Sequence, residues 1–205
     1  GDGDHTTLST IPENAMGRSR LIIKEDGILA GVKVAEKVLH RVDPSIKMTV
    51  MIGDGAEVNK GDVAFTAEGP VRSLLIAERT MLNIMQRMSG VATMTRRYQD
   101  QLKGLRTRVL DTRKTTPGMR MLEKEAVATG GGTNHRIGLF DMILIKDNHI
   151  DFAGGIEKAI SRAQQYCRET GKKLRIEVGV RSLDEIRRVL AHGGVDRIMF
   201  DNFTP

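Results

Sequence analysis

Residues 174–202 read LRIEVGVRSLDEIRRVLAHGGVDRIMFDN, and this stretch decides the fold. Leu174–Val178 is a short apolar run suited to a buried strand. Ser182 follows with Glu185 three residues later, the spacing of a capping box, and predicts a helix over Leu183–His192. Gly193 and Gly194 end that helix. Arg197–Phe200 then predicts a second strand. Strand, helix and strand in this order describe a parallel βα unit.

Working outward, the same alternation extends back to Val109. Strands are predicted over Arg108–Asp111 and Met142–Lys146, and helices near Met119–Ala128 and Ile156–Glu169. The N-terminal part differs. Arg20–Lys24, Ile28–Val32, Met48–Ile52 and Val63–Thr66 read as strands separated by Asp-Gly and Gly-Asp pairs, which suggests a small sheet. Between the two parts, Ser73–Met88 predicts a helix with Leu74, Met81, Met85 and Met88 on one side and Leu75 and Leu82 adding width. Arg79, Asn83, Gln86 and Arg87 fall at i, i+4, i+7 and i+8, so two cations and two amides share its polar face. A Met-rich apolar arc this broad suits burial between layers or a subunit contact.

The composition narrows the function classes. In 205 residues, 32 Lys and Arg against 26 Asp and Glu give a net charge of +6, which favours an anionic partner. Aromatic residues make up 3% and Trp is absent, leaving little material for base-stacking platforms and arguing against a nucleic-acid partner. A single cysteine, Cys167, excludes an internal disulfide and fits a reducing compartment. No apolar run approaches a membrane span and the N-terminus lacks a secretory pattern, so a cytoplasmic protein without membrane association is expected.

In parallel βα folds, functional groups project from the carboxyl ends of strands. Asp111–Gly118 (DTRKTTPG) sets the cations Arg113 and Lys114 among hydroxyls and turn residues, either as an anion grip or as a solvated loop. Gly130–Arg136 (GGGTNHR) carries His135 and Arg136; its glycines allow close ligand approach or merely cap the preceding helix. Lys146 ends an apolar strand, where a cation needs an anion, whether ligand or structural ion pair. Glu177 and Asp201 are read as acids at strand ends, where hard oxygens suit Mg²⁺ bridged to phosphates, or simply balance nearby cations. His5, His40 and His192 show no zinc spacing.

Taken together, DTRKTTPGMR (111–120), GGGTNHRIGL (130–139), MILIKDNHI (142–150) and MFDN (199–202) resemble the quinolinate phosphoribosyltransferase family, the carboxylating nicotinate-nucleotide pyrophosphorylases. The segments GDGDHTT (1–7), EDGILAGV (25–32), GDVAFT (61–66) and AERTMLNIMQRMSG (77–90) extend the likeness along the chain. The resemblance implies an α/β protein: an N-terminal α/β sandwich domain with an interface helix over residues 1–88, then a parallel α/β barrel over 89–205. Further barrel strands and a Gly-rich phosphate loop are implied beyond Pro205. It also implies a homodimer with interfacial active sites, and transfer of phosphoribosyl from phosphoribosyl pyrophosphate to quinolinate with Mg²⁺. The products are nicotinate mononucleotide, pyrophosphate and carbon dioxide.

Residue by residue, the resemblance implies that Arg113, His135 and Arg136 hold the quinolinate carboxylates, joined by Arg79 from the partner subunit. Lys114 and Lys146 are implied as catalytic groups between quinolinate and the phosphoribosyl moiety. Asp201 is implied in catalysis and in binding Mg²⁺ or ribose, and Glu177 in substrate binding. The chain departs from the family at Glu177-Val178-Gly179, where a Glu-Val-Glu pattern is usual. Glu177 is not expected to replace the missing acid, being assigned to the opposite strand face, and weakened Mg²⁺ or ribose binding is expected. The rival readings are a nicotinate phosphoribosyltransferase without decarboxylation, and an impaired or non-catalytic paralogue that binds a phosphorylated or dicarboxylate ligand.

Overall fold

The computed structural model describes residues 3–204; the first two residues of the Gly1–Thr7 segment, and Pro205, lie outside them. The chain divides after His135 into two compact units. The sequence boundary at 88/89 falls inside a single long helix of the first unit.

The first unit opens with α1 (His5–Thr10), capped by Asp4, whose carboxylate accepts from the Thr7 N–H. β1 (Met16–Ile22), β2 (Gly27–Ile28), α2 (Val32–Val42), β3 (Lys47–Val50), β4 (Glu57–Val58) and β5 (Val63–Pro70) follow. β1, β5 and β3 form an antiparallel sheet in that order, and β2 pairs with β4. α3 (Val71–Gln101) and α4 (Arg120–Thr129) complete the unit. The core joins Phe65 and Ala67 of the sheet to Leu39 of α2 and to Leu74, Ala77, Met81 and Met85 of α3. Full burial of a side chain such as Leu39 contributes roughly 2–3 kcal/mol.

Three sequence expectations change here. The strand expected over Ile28–Val32 shrinks to Gly27–Ile28, and a helix starts at Val32. Val32, Ala35 and Leu39 are buried at helical spacing, and Gly31 at φ 98 makes the turn between the two elements. The helix expected over Ser73–Met88 runs 31 residues rather than ending at Met88. A Cβ at Gly90 would meet open space, and Ala92 and Thr95 continue the buried stripe begun by Leu74, so a mid-helix glycine costing about 1 kcal/mol does not stop it. Leu75, expected to widen the apolar face, is exposed.

The strand expected over Arg108–Asp111 is reduced to one parallel bridge, Leu110 to Thr133. In the glycine run 130–132, the outer two glycines are required by packing. A Cβ on Gly130 would collide with the Ala92 carbonyl of α3, and one on Gly132 would lie 2.8 Å from both Thr95 Cγ2 and Val127 Cγ1. Arg96 Nε donates to the Gly130 carbonyl at 3.1 Å.

The second unit contains β6 (Ile143–Ile145), α5 (Asp147–Ala153), α6 (Ile156–Thr170), β7 (Ile176–Val180), α7 (Leu183–His192) and β8 (Arg197–Phe200). Its three strands are parallel in the order β6-β7-β8. Ile145, Ile176, Val178 and Val180 pack on Ile156 and Ile160 of α6 and Val189 of α7, so the odd-numbered positions of β7 face away from these helices. This register corrects the placement of Glu177. Apolar alternation carries β7 on to Val180, so Glu177 is its second residue rather than its end. Glu177 and Gly179, two residues apart, also share a face instead of opposing each other. Ser182 Oγ accepts from the Glu185 N–H as expected, but Glu185 reaches back to the Arg181 N–H at 2.6 Å. No helix among the described residues is long and apolar enough to cross a membrane.

Candidate active site

In the first unit the site is built around Asp111. Its Oδ1 accepts from Lys124 Nζ and from the His135 N–H at 2.8 Å, while Lys124 Nζ also donates to the His135 carbonyl at 3.0 Å. With its amide turned to satisfy both partners, Asn134 donates to Asp111 Oδ2 at 2.7 Å and to the Lys124 carbonyl at 2.8 Å. The Lys124 and Asp111 side chains are 3% and 6% exposed, so charge sits here largely out of water. Such a pair persists only when its remaining donors and acceptors are met, as they are.

The loop that begins at Asp111 is tied at its far side as well. Thr116 N–H donates to Glu123 Oε2 at 3.2 Å. Arg87 of α3 donates to Glu123 Oε1 from both Nε and Nη2, at 2.9 and 2.7 Å, and from Nη2 to Thr116 Oγ1 at 3.1 Å. Burial pushes the Glu123 carboxyl up, but hydrogen bonds from Thr116 and Arg87 together with the Arg87 charge outweigh it and hold the carboxyl below its ordinary range. Arg113 and Lys114 lie between these anchors. Arg113 Nε is buried without a hydrogen-bond partner among the described residues, and Lys114 is exposed, its N–H donating to Thr112 Oγ1 at 3.0 Å. The first unit thus brings Arg113, Lys114 and His135 onto two neighbouring segments fixed by one carboxylate. Arg79 is exposed on α3, two turns before the Arg87 that grips the loop.

In the second unit Arg136 is half-buried and donates from Nη1 to the Met142 carbonyl at 3.4 Å. Asp141 closes the next turn, accepting from the N–H groups of Ile137 and Gly138 at 2.8 and 2.9 Å. Lys146 is exposed directly after β6, and its N–H donates to His149 Nδ1 at 3.0 Å, so the His149 ring proton belongs on Nε2. Asp201 follows β8 directly, its N–H donating to the Val180 carbonyl at 3.0 Å. Lys146 and Asp201 therefore stand at the carboxyl ends of the two strands flanking β7. Glu177 is set back, 2% exposed and ion-paired to Arg197 at 3.2 Å.

Among the described residues no group of three or more His, Cys, Asp or Glu could hold a metal ion. A lone carboxylate such as Asp201 nonetheless fits Mg²⁺, which commonly takes one or two protein carboxylates and completes its shell with substrate phosphates and water.

Sequence reasoning missed Asp111, Glu123 and Lys124 as organisers of the site. The burial that marks them is visible only in the structure: Glu123, Lys124 and Ala126 are the buried positions of α4, so the helix turns two charged side chains inward at a place where apolar residues would ordinarily stand.

The N-terminal domain of quinolinate phosphoribosyl transferase matches residues 4–89, and the C-terminal domain of the same family matches residues 91–205. A quinolinate phosphoribosyltransferase [decarboxylating] of Nicotiana tabacum is 44% identical across 98% of the chain. The chain spans 58% of that relative's length. A probable nicotinate-nucleotide pyrophosphorylase [carboxylating] of Bacillus subtilis is 42% identical, covering all of the chain and 69% of the relative. The crystal structure of NadC from Streptococcus pyogenes superposes with a TM-score of 0.91 at 40% identity, over 98% of this chain and 70% of that one. The nicotinate-nucleotide pyrophosphorylase from Francisella tularensis gives 0.91 at 41% identity, over 100% and 70%. The α/β class is as expected, with an antiparallel α/β layer preceding parallel βα units, and the chain belongs to the quinolinate phosphoribosyl transferase family.

Proposed function

We propose that this protein transfers phosphoribosyl from phosphoribosyl pyrophosphate to quinolinate and releases carbon dioxide, a step of NAD biosynthesis. The observation that carries the reading is the shared anchoring of the Arg113–Lys114 loop and the His135 segment by the buried Asp111, which holds the side chains of Arg113, Lys114 and His135 on fixed backbone for a small dianion. Arg113, whose buried Nε lacks a protein acceptor, is suited to a carboxylate because its planar fork can bind both oxygens. His135 and Arg136 serve the same ligand. Arg79, exposed on α3, is offered to the partner subunit's quinolinate in a homodimer.

The chemistry asks mainly for positioning. The pyridine nitrogen forms a bond to the ribose carbon as the bond to pyrophosphate breaks, and both electrons of the broken bond leave with pyrophosphate. Lys114 and Lys146 offset the charge that gathers on the leaving group. Asp201 would hold Mg²⁺ or the ribose hydroxyls, and Mg²⁺ when bound neutralises phosphate charge. The ring nitrogen is now cationic. The carboxylate next to it departs as carbon dioxide, leaving its electron pair on the ring carbon, which then takes a proton. Excluding water from the site favours that loss.

The test is incubation of the protein at its natural length with quinolinate, phosphoribosyl pyrophosphate and Mg²⁺. Nicotinate mononucleotide and carbon dioxide should appear in equal amounts; in a parallel incubation with nicotinate in place of quinolinate, nicotinate mononucleotide formed without carbon dioxide would instead mark a nicotinate phosphoribosyltransferase. The dimer is tested by mixing inactive Arg79→Ala and Lys114→Ala subunits, since activity recovers only if the two residues serve one site from different chains. A cytoplasmic location is supported by the unpaired Cys167, and cell fractionation checks it.

Gly179 favours a second reading, an impaired enzyme that binds its dicarboxylate but turns over slowly. Glu177, on the same strand face, is committed to Arg197 and does not fill the place of the missing acid. Tight phthalate or quinolinate binding with product formed only slowly in excess Mg²⁺ would select this reading.

A further inference from the structure

We propose that Lys124 is a positioning residue that holds the two anion-binding segments of the first unit, the Arg113–Lys114 loop and the His135 segment, in one register through Asp111. The inference rests on the quinolinate reading and adds to it a residue that touches no substrate.

Lys124 comes from α4, and its ammonium donates in two directions: to the Asp111 carboxylate at the start of the loop and to the His135 carbonyl at 3.0 Å. Asp111 answers by accepting from the His135 N–H at 2.8 Å. Both polar groups of the His135 backbone are thereby held by the same ion pair. Asn134 closes the ring between Asp111 and the Lys124 carbonyl.

Burying two such charges costs several kcal/mol per ion before their attraction repays it, and an apolar pair of similar volume commonly serves stability as well or better. Filling the space beneath α4 therefore does not call for a lysine. What an ammonium supplies and a methionine of like length cannot is direction, because its rotatable N–H donors fix the distance between two segments 24 residues apart in sequence. Both segments carry polar side chains that must meet a rigid planar diacid, for which a displacement of 1 Å at the reacting groups can cost about 100-fold.

The test compares Lys124→Met with the double variant Asp111→Leu/Lys124→Met in the protein at its natural length. The single change strands a buried carboxylate and lowers the melting midpoint. The double change removes both charges, so the midpoint returns towards that of the parent. Quinolinate affinity is expected to stay weakened in both, by roughly 10- to 100-fold, the worth of one lost charged hydrogen bond. In Lys124→Met the His135 amide should also exchange with solvent about tenfold faster, with the amides of β5 unchanged. Affinity returning together with the midpoint in the double variant would overturn the proposal, as would unchanged exchange at His135. If the parent protein binds no quinolinate, the functional reading fails. The exchange comparison still decides the register claim, with acceleration upholding it and unchanged rates refuting it.

Discussion

Two charged clusters, one in each unit, work in opposite ways. In the first, Lys124 and Asp111 are 3% and 6% exposed and Glu123 is 9% exposed, and each of these groups ties one chain segment to another. In the second, Arg188 and Glu157 are both 44% exposed and bridge two helices across open solvent. At the low effective dielectric of a buried site a charge fixes geometry strongly, whereas water and salt weaken the same contact at the surface. The buried cluster of the first unit thus fixes chain segments against each other, whereas the exposed Glu157–Arg188 pair has little hold on the helices it joins.

The contrast can be broken most severely at the close approach of α3 and α4 that buries the first unit's pairs. Gly130 sits in ordinary helical φ, so Gly130→Ala tests space alone. Its Cβ would strike the Ala92 carbonyl and come 2.8 Å from Thr95 Cβ, both on the packed face of α3. A loss of about 3 kcal/mol in urea unfolding is expected, typical of strong overpacking against backbone. A change within about 0.5 kcal/mol would mean that the helices can separate freely and that burial of the charges does not depend on this glycine.

Glu123→Gln is the next largest, expected to cost about 1–3 kcal/mol because Arg87 and Thr116 keep a weaker acceptor. Its pH behaviour has a definite sign. The folded carboxyl titrates below its ordinary value of 4.5, so its stabilisation is whole above that value and is lost as pH falls through the lower folded value. The glutamine variant should therefore show a shallower decline of melting midpoint on the acid side. Equal slopes would remove Glu123 from the account.

Gly179→Glu sharpens the comparison in the second unit. A Cβ there would lie 3.1 Å from the flexible Met199 Cε and 3.5 Å from the Ile145 carbonyl, so the first side-chain carbon needs only a small shift of a methionine tip. Restoring the acid should raise turnover about tenfold, near the low end for one charged hydrogen bond. No gain at saturating Mg²⁺ would show that this chain does not lack what the family's glutamate supplies.

Much of this was legible in the sequence because periodicity is local. The helix over Leu183–His192 and the strand over Arg197–Phe200 have the residue limits that Ser182, Gly193 and the apolar run dictate. The α2 helix was also legible, through Val32, Ala35 and Leu39, but a β-branched start to the segment favoured the strand reading. Lys146 and Asp201 could be placed at strand ends from sequence, since a strand's polar terminus is a local signal. The Asp111–Lys124–His135 ring was not legible. Its members are separated by 13 and 11 residues, and nothing in the sequence says that α4 turns a lysine inward towards a loop and a bridge formed elsewhere. Glu177 failed in the same way, because its ion pair with Arg197 depends on the β7–β8 register rather than on its neighbours in the chain.

The smallest effect is expected at Glu157 and Arg188, and it separates two quantities often treated as one. Hydrogen bonds from the Arg188 guanidinium, at 2.7 Å each, are the main cause holding the Glu157 carboxyl at about 2, with the helix N-terminus assisting. By sign, any stabilisation from this pair is present above pH 4.5 and lost only as pH falls through about 2. Both groups are open to solvent, however, and the side-chain ordering that the pair requires offsets most of its attraction. Arg188→Gln should therefore move the Glu157 titration, followed by NMR, up towards the ordinary carboxylate range while leaving the melting midpoint at pH 7 unchanged. Salt near 0.5 M should produce part of the same titration shift in the parent protein, since screening acts within a few ångströms at that strength. If Arg188→Gln instead destabilises the protein as much as Glu123→Gln does, exposure is not what divides the two units, and the aiming role given to the buried charges loses its physical basis.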